Sequence, residues 1–323
     1  MLIDGFGRRI SYLRLSVTDR CDLRCTYCMP EGFQSDEEPR EWLNFDELER
    51  LARIFASVGV ERIRLTGGEP LLRRNLSRLV SRLAALLGIR DLSLSTNGTQ
   101  LATQAENLWR AGIDRLNVSL DSLDRSRVLA ISQRDVLPQV LEGLEVARQV
   151  GFSQIKINMV VLPETTDDEI DAMTAYCMQR GFILRLIETM PVGIAGHKSG
   201  FVDVRPLMNR IRERFALVDG IVPGGGPARY LVSGDGKFQI GFITAISQHF
   251  CDTCNRIRLA ANGVLHLCLG RNESVDFRAL MRSGASDSVI LGELRQALGN
   301  KPVSHDFRSG EQRIVRMMSA TGG

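Results

Sequence analysis

GVERIRL, residues Gly59–Leu65, is the stretch that decides the fold, because variants of it recur along the chain. In each variant a glycine ends an amphipathic helical stretch, and a short strand of alternating apolar and polar residues follows. The other copies begin at Gly88, Gly112 and Gly151, and a version one residue shorter begins at Gly181. Each copy predicts the junction between a helix and the next strand.

Helices fill the gaps between these copies, and an opening strand precedes them. The strand is predicted at Tyr12–Val17, and the helices at Phe45–Val58, Leu76–Leu87, Ala102–Ala111, Leu137–Val150 and Asp167–Arg180. Asn44 and Glu47 form a predicted capping pair for the first helix. Six β/α units in a row predict a parallel sheet with right-handed crossovers. Because a closed barrel needs eight units, the residues alone leave a partial barrel or a doubly wound sheet.

The pattern changes at VPGGGP, residues Val222–Pro227, a cluster of residues that break helices and strands. Short strands are predicted beyond it at Phe238–Ile243, Ile257–Ala260 and Val264–Leu267, followed by two short helices. These features predict a barrel domain over residues 1–221 and a small α+β domain over residues 222–323.

The composition of the 323-residue chain is that of a globular protein, with 44% hydrophobic and 24% charged residues. A net charge of only +3 predicts no nucleic-acid or membrane partner. The opening residues lack a signal-peptide core, and no apolar run is long enough to span a bilayer. These features predict a cytoplasmic protein, in which clustered cysteines bind metal more often than they form disulfides.

Six of the seven cysteines form two triplets at opposite ends of the chain: Cys21, Cys25 and Cys28, and Cys251, Cys254 and Cys268. A structural zinc site closes with four ligands, whereas three cysteines on a four-iron cluster leave one iron free to bind a small molecule. For the second triplet a zinc site remains an alternative, because His266 and Cys268 lie on the same side of a predicted strand.

Each predicted barrel strand carries one polar residue between two apolar ones. Alternation places these residues on one face of the sheet, which we call the lumen face: Arg14, Arg64, Ser93, Asn117, Lys156 and Arg185. Four buried cations are costly unless they pair with carboxylates or face a strongly anionic ligand. We favour the ligand, and a nucleoside triphosphate would suit four cations.

The loops after the first four strands meet at one end of the sheet, where active sites of α/β proteins lie. The first triplet follows strand one, TGGEP follows strand two, Thr96-Asn97-Gly98 follows strand three, and Ser119-Leu120-Asp121-Ser122 ends strand four. Taken alone, the Gly-Gly-Glu-Pro and Asn-Gly turns are typical of ordinary loops. The cysteine spacing is far more specific.

CDLRCTYC, with Tyr27 before its last cysteine, and Gly-Gly-Glu-Pro after the second strand together resemble the radical S-adenosylmethionine enzymes. The resemblance implies that three thiolates hold a [4Fe-4S] cluster whose free iron binds the amino and carboxylate groups of S-adenosylmethionine. It also implies that one electron from the cluster breaks a C–S bond of S-adenosylmethionine. The resulting 5′-deoxyadenosyl radical then abstracts a hydrogen atom from substrate.

Further motifs resemble the branch of that superfamily that cyclises GTP in molybdenum cofactor biosynthesis: YLRLSVTDRC, RLTGGEP, STNG, NVSLDS, KIN, FCDTCNRIRL and the terminal Gly322-Gly323. The resemblance covers nearly the whole chain. It implies a partial (β/α)6 barrel, a second [4Fe-4S] cluster on the second triplet, and a double-glycine tail that reaches the active site. The implied reaction converts GTP into (8S)-3′,8-cyclo-7,8-dihydroguanosine 5′-triphosphate, the first step towards molybdopterin.

By position, the resemblance assigns S-adenosylmethionine contacts to Tyr27, Gly68, Ser119 and Met190. GTP contacts are predicted for Arg14, Arg64, Ser95, Lys156, Arg185, Arg256, Ile257 and Arg258; Arg185 joins the set from the lumen face. The implied partners are GTP, an electron donor such as flavodoxin or ferredoxin, and a downstream cyclic pyranopterin monophosphate synthase. A homodimer is compatible with the sequence.

Two other classes of protein remain as rivals. A radical peptide or sulfatase maturase also has auxiliary clusters, but such enzymes usually carry more C-terminal cysteines and need no cationic lumen. A zinc or electron-carrier module without catalysis would explain the cysteines alone.

Overall fold

The computed structural model describes residues 1–29, 39, 41–152, 154–222, 226–307, 314 and 316–322. Ser153 of the repeat, the centre of the predicted linker and the terminal Gly323 therefore lie outside the described residues. None of the helices it describes is both long enough and apolar enough to cross a bilayer.

Six parallel strands in sequence order form the centre of one sheet. They are β1 Tyr12–Ser16, β2 Arg62–Thr66, β3 Asp91–Thr96, β4 Arg115–Ser119, β5 Ile155–Val161 and β6 Ile183–Glu188. The connecting helices are α1 Phe45–Ser57, α2 Leu76–Ala84, α3 Leu101–Ala111, α4 Arg125–Ser132, α5 Leu137–Val150 and α6 Asp167–Arg180. The unbroken strand order confirms the partial (β/α)6 barrel and excludes the doubly wound alternative.

The C-terminal segment extends this sheet at both edges. Its strands are β7 Val218–Gly220, β8 Arg229–Val232, β9 Gln239–Ile243, β10 Arg256–Leu259, β11 Val264–His266 and β12 Ser274–Asp276. Strand β9 runs parallel to β6, and β10 runs parallel to β1, so eight parallel strands line the lumen. The remaining helices are α7 Gly193–Lys198, α8 Arg205–Arg214, α9 Phe277–Arg282, α10 Asp287–Gly299 and α11 Met318–Thr321.

The two faces of the barrel strands divide as their alternation predicts. Apolar side chains such as Leu13, Ile63 and Leu94 are fully buried in the core that packs against the helices. The polar residues between them face the lumen, where Arg14 lies between Arg64 and Arg258 on the neighbouring strands. The fold therefore surrounds a polar cavity with an apolar shell.

Element boundaries agree with the sequence where a capping signal is strong. Asn44 and Glu47 form the predicted capping box, and α1 begins at the next residue after Asn44. Helix α2 ends at Ala84, three residues before its predicted end. The sequence did not predict helices α4, α7, α8 and α11 or strands β7, β8 and β12. These three strands have only three or four residues each, too few for a clear periodicity.

Candidate active site

Two glycines bring the β2–α2 loop against the first cysteine loop. The amide of Gly68 donates to the carbonyl of Thr18 at 3.0 Å, and the amide of Glu69 donates to the carbonyl of Arg20 at 2.7 Å. A Cβ at Gly67 or Gly68 would collide with those backbone oxygens. The double glycine is therefore needed for this close approach, which fixes both loops at one end of the barrel.

One cavity at this end, which we call the upper cavity, contains the first triplet and all four predicted S-adenosylmethionine contacts. It is lined by Cys21, Cys25, Cys28, Tyr27, Gly68, Ser119 and Met190, together with Met318 and Ser319 of the C-terminal segment. The Tyr27 hydroxyl donates to Asp121 at 2.8 Å, and the other oxygen of Asp121 accepts from the Val160 amide at 2.9 Å. Asp121 belongs to the SLDS motif but was not among the residues predicted for this site.

The cysteines of the first triplet are half-buried, and desolvation raises the pKa values of their thiols. The pKa of Cys21 rises to about 12 and that of Cys28 to about 11, so free thiols stay protonated at neutral pH. Over the described part of the chain, no three His, Cys, Asp or Glu side chains are grouped closely enough to hold a single metal ion. Three soft sulfur donors around one cavity fit an iron–sulfur cluster with one open iron.

A second cavity, which we call the lower cavity, contains most of the predicted GTP contacts and the second triplet. It is lined by Arg14, Arg64, Ser95, Arg185, Arg256, Arg258, Cys251, Cys254 and Cys268. Ser95, Asn158, Ile187, Met190 and Met318 line both cavities, so the two meet inside the barrel. Lys156 lies deeper, in a small cavity that it shares with Arg64 and Arg185.

Three of the four lumen cations, Arg14, Lys156 and Arg185, are buried. None of the described Asp or Glu side chains forms an ion pair with Arg14, Lys156 or Arg185, and the Nε atoms of both arginines have no hydrogen-bond partner. Burial, reinforced by neighbouring guanidinium groups, lowers the pKa of Lys156 to about 7 and that of Arg185 to about 10. The pairing with Asp or Glu that could have neutralised the lumen face is therefore not found among these residues.

Polar neighbours orient the lumen cations instead. Arg64 donates from Nε to the Ser93 hydroxyl at 3.3 Å, and Arg185 donates to the Asn117 side-chain oxygen. Neutral acceptors fix the direction of a guanidinium group but leave its charge uncompensated. The lumen is therefore prepared for a polyanion.

Cations also surround the second triplet. Arg8 donates to the carbonyl of Cys251 at 2.8 Å, Arg316 to that of Cys268 at 2.8 Å, and Lys301 to that of Leu267 at 2.5 Å. Burial alone would raise the pKa of Cys254, but nearby Arg256 and Lys301 lower it overall. The second triplet thus lies in a positive environment, unlike the first.

Two residues considered for this region lie away from the cavity. The side chain of Ile257 is fully buried in the apolar core, so only its backbone is near the lumen. His266 does not line the cavity with the three cysteines, and its Nδ1 is buried without a partner. Burial lowers the pKa of His266 to about 4, which keeps its ring neutral.

The C-terminal segment enters the mouth of the barrel. The carbonyl of Gly322 accepts a hydrogen bond from Arg258, and a Cβ at Gly322 would collide with the Thr66 side chain. Gly322 also has φ +74°, in the left-handed region that favours glycine. This position therefore requires glycine for both its conformation and its space.

Sequence reasoning missed Asn158, Met318 and Ser319. Asn158 faces both cavities with a buried side-chain oxygen that has no hydrogen-bond partner among the described residues. Its place after Lys156 on β5 puts it on the same strand face, which is the signal that could have found it. No comparable signal exists for Met318 and Ser319, because they follow a segment without strand or helix periodicity.

Comparison with known families divides the chain into two matched regions. The radical SAM superfamily matches residues 15–177, and the family described as Molybdenum Cofactor Synthesis C matches residues 182–307.

Curated relatives match over the full length. The chain is 46% identical to the GTP 3′,8-cyclase of Ectopseudomonas mendocina, covering 100% of this chain and 98% of the relative. It is 45% identical to GTP 3′,8-cyclase 1 of Pseudomonas aeruginosa, covering 99% of each chain.

Solved structures resemble the fold. The Streptococcus suis SuiB structure bound to the precursor peptide SuiA matches with a TM-score of 0.66 at 16% identity, covering 97% of this chain and 76% of that one. The SuiB structure described without a ligand matches with a TM-score of 0.62 at 16% identity, covering 81% of this chain and 61% of that one. At this identity the likeness concerns the fold alone.

Proposed function

Since the chain belongs to the radical SAM superfamily and, within it, to the GTP 3′,8-cyclases, we propose that it cyclises GTP to (8S)-3′,8-cyclo-7,8-dihydroguanosine 5′-triphosphate. This reaction opens molybdenum cofactor biosynthesis. The observation that carries the proposal is the continuous chamber in which the first triplet faces a lumen of unpaired cations.

The residues of the upper cavity would hold a [4Fe-4S] cluster and S-adenosylmethionine. Cys21, Cys25 and Cys28 would bind the cluster, while Tyr27, Gly68, Ser119 and Met190 would contact S-adenosylmethionine. When bound, these two groups supply the abstraction of a hydrogen atom. The role of the protein is to exclude water and to fix orientation, and Asp121 serves this role by holding the Tyr27 hydroxyl.

The lower cavity would hold GTP. Charge-assisted hydrogen bonds from Arg14, Arg64, Lys156 and Arg185 would bind the triphosphate, because none of the described carboxylates forms an ion pair with these cations. Ser95 lies where the two cavities meet, which suits contact with the ribose that must approach the upper cavity. Arg256, Ile257 and Arg258 complete the proposed set, Ile257 through its backbone.

The second triplet would bind a second [4Fe-4S] cluster at the guanine end. Cys251, Cys254 and Cys268 line the lower cavity together, and His266, the fourth ligand that a zinc site would need, does not. The surrounding cations suit an anionic thiolate cluster. We therefore propose three cysteines and one open iron rather than zinc.

We also propose two partner proteins, an electron donor such as flavodoxin or ferredoxin and a downstream cyclic pyranopterin monophosphate synthase. We further propose a homodimer, a cytoplasmic location, and two domains over residues 1–221 and 222–323. A radical peptide maturase remains the rival enzyme, since SuiB, solved with a bound precursor peptide, shares the fold. A lumen with three buried cations, Arg14, Lys156 and Arg185, and the half-buried Arg64 favours a triphosphate over a peptide.

Anaerobic turnover tests the proposal. The reconstituted protein, given dithionite, S-adenosylmethionine and GTP, is expected to form 5′-deoxyadenosine and the cyclised nucleotide together. Omission of GTP is the control for uncoupled cleavage. Cleavage of S-adenosylmethionine without any loss of GTP would contradict the cyclase assignment while leaving the superfamily assignment intact.

A further inference from the structure

A buried carboxylate, Glu69, and a half-buried one, Asp22, fasten the three loops around the first triplet. Glu69 accepts from the Asn97 amide at 2.6 Å and from the Thr96 hydroxyl at 2.8 Å, which joins the loops after β2 and β3. Asp22, next to the first cysteine, accepts from the Thr99 hydroxyl at 2.6 Å. The loop after β3, which resembles an ordinary Asn-Gly turn in the sequence, is therefore hydrogen-bonded directly to the cysteine loop.

The side chain of Asn97 stands at the centre of this network. Its Nδ2 donates to Asp22 at 2.7 Å and to the Cys21 sulfur at 3.8 Å, within the range for hydrogen bonds to sulfur. Its Oδ1 accepts from the Thr99 amide at 2.9 Å. Because a backbone N–H can only donate, Oδ1 must face Thr99, and the two N–H groups must face Asp22 and Cys21.

The Cys21 sulfur is thus supplied with two donors from different loops. The Leu23 amide, in its own loop, lies 3.4 Å from the sulfur, and Asn97 supplies the other donor across the cavity wall. Hydrogen bonds to a cysteine sulfur stabilise the more negative, reduced form of an iron–sulfur cluster and so raise its reduction potential.

We propose that Asn97 is a positioning residue that holds Asp22 and donates to the Cys21 sulfur, so raising the reduction potential of the radical-generating cluster. The inference rests on the proposed function insofar as it assigns that cluster to Cys21. Asn97 is expected to tune how readily the cluster accepts the electron that starts each turnover, rather than to touch GTP.

Potentiometric titration followed by electron paramagnetic resonance tests the inference on anaerobic holoprotein. The signal that changes on addition of S-adenosylmethionine identifies the cluster concerned. Asn97→Ala is expected to lower its midpoint potential, since loss of one hydrogen bond changes the one-electron equilibrium on the order of fivefold. At 59 mV for each tenfold change, the shift is about 40 mV.

Thr99→Val is the matched control, because it removes the hydroxyl contacts to Asp22 and to Asn97 Oδ1 but keeps the backbone amide that orients Asn97 and so leaves the Asn97 donor to sulfur. Its midpoint potential should equal that of the parent. If both variants shift equally, the loop attachment rather than the sulfur donor sets the potential, and the inference fails. It also fails if Asn97→Ala leaves the potential unchanged.

If Asn97→Ala does not retain iron, the midpoint potential of Asn97→Ser is measured instead. Its hydroxyl can serve Asp22 but leaves the sulfur without a donor from this position, so the same lowering is expected, and a parental potential would overturn the inference. GTP turnover of the parent is measured separately. A parent with the Asn97 effect but no cyclised product would contradict only the cyclase proposal.

Discussion

The lumen cations are the residues at which this chain departs furthest from ordinary folding rules. Arg14, Lys156 and Arg185 are almost completely buried, and none faces a described carboxylate within ion-pair distance. Their mutual repulsion destabilises the ligand-free protein. A bound polyanion relieves that repulsion, so binding and stability are coupled.

Lys156 should make GTP binding depend on pH. Its pKa is about 7 in the free protein and should rise towards its ordinary value when a triphosphate is bound. Below pH 7 the lysine is already charged. Above pH 7 binding must take up a proton, so the affinity should fall by up to roughly tenfold per pH unit.

Calorimetry at pH 8 to 9, in buffers of different ionisation enthalpy, measures this proton uptake while the terminal phosphate stays fully ionised. Lys156→Arg keeps a permanent charge and is the matched variant, which should bind GTP without the uptake. Equal uptake by the parent and by Lys156→Arg would assign the proton to another group.

Arg14→Ala and Arg64→Ala should each weaken GTP binding. Hydrogen bonds to charged groups contribute about 1.5–3 kcal/mol, which corresponds to roughly tenfold to a hundredfold in affinity. Equilibrium binding of GTP in the absence of S-adenosylmethionine checks the effect. Arg9→Ala, at an exposed position beside Glu61, is the control and should bind as the parent does. Parental affinity in both lumen variants would show that GTP binds elsewhere.

At the scale of elements, the short helix α11 and Gly322 bring the end of the described chain to the active site. Ser319 lines the upper cavity and Gly322 contacts Arg258 and Thr66. A frayed terminus would tolerate truncation. These contacts indicate that the segment belongs to the substrate chamber.

Removal of Gly322 and Gly323 should abolish cyclisation while cluster content and S-adenosylmethionine cleavage without GTP stay largely intact. The physical reason is that Arg258 loses the closer of the two carbonyls, that of Gly322, and keeps only the longer contact to the Thr321 carbonyl at 3.4 Å. Product analysis and iron content measure the two effects. Addition of a synthetic peptide of the last residues should restore part of the activity, whereas full activity of the truncated protein would assign the tail no role.

Strong local signals explain which elements could be predicted. The capping boxes of α1 and α6, and the glycine that ends α3, α5 and α6, fix helix ends through backbone hydrogen bonds a few residues away. In α4 the apolar residues do not recur on one helix face, so no periodic signal exists. Its position depends on tertiary contacts, such as the Thr26 amide donating to the Ile131 carbonyl.

At the scale of the whole molecule, the two cysteine triplets come from opposite ends of the chain but share one chamber. The sequence could predict the triplets and the lumen face, because spacing and alternation are local properties. It could not predict that Asn97 contacts Cys21, since this contact depends on how loops from separate strands meet.

Alanine substitutions in the two cysteine triplets should have different effects on catalysis. Cys25→Ala should abolish formation of 5′-deoxyadenosine, because the cluster that receives the electron loses one of its three ligands. Cys254→Ala should still cleave S-adenosylmethionine at some rate but lose cyclisation. Iron analysis should find about four irons fewer in each variant than in the parent. Normal cleavage by Cys25→Ala, or zinc at the second site of the anaerobic parent, would contradict this division of labour.

The pairing of β1 with β10 also constrains how the chain is made. Leu13 is a direct neighbour of Ile257 in the sheet, yet the ribosome completes β10 long after β1 has emerged. At 5–20 residues per second, the interval is roughly 10 to 50 seconds. Throughout it the nascent chain exposes an apolar strand edge next to reactive thiols, and such an edge readily pairs with other chains. Translation must therefore be nearly finished before the barrel can protect its first metal-binding loop.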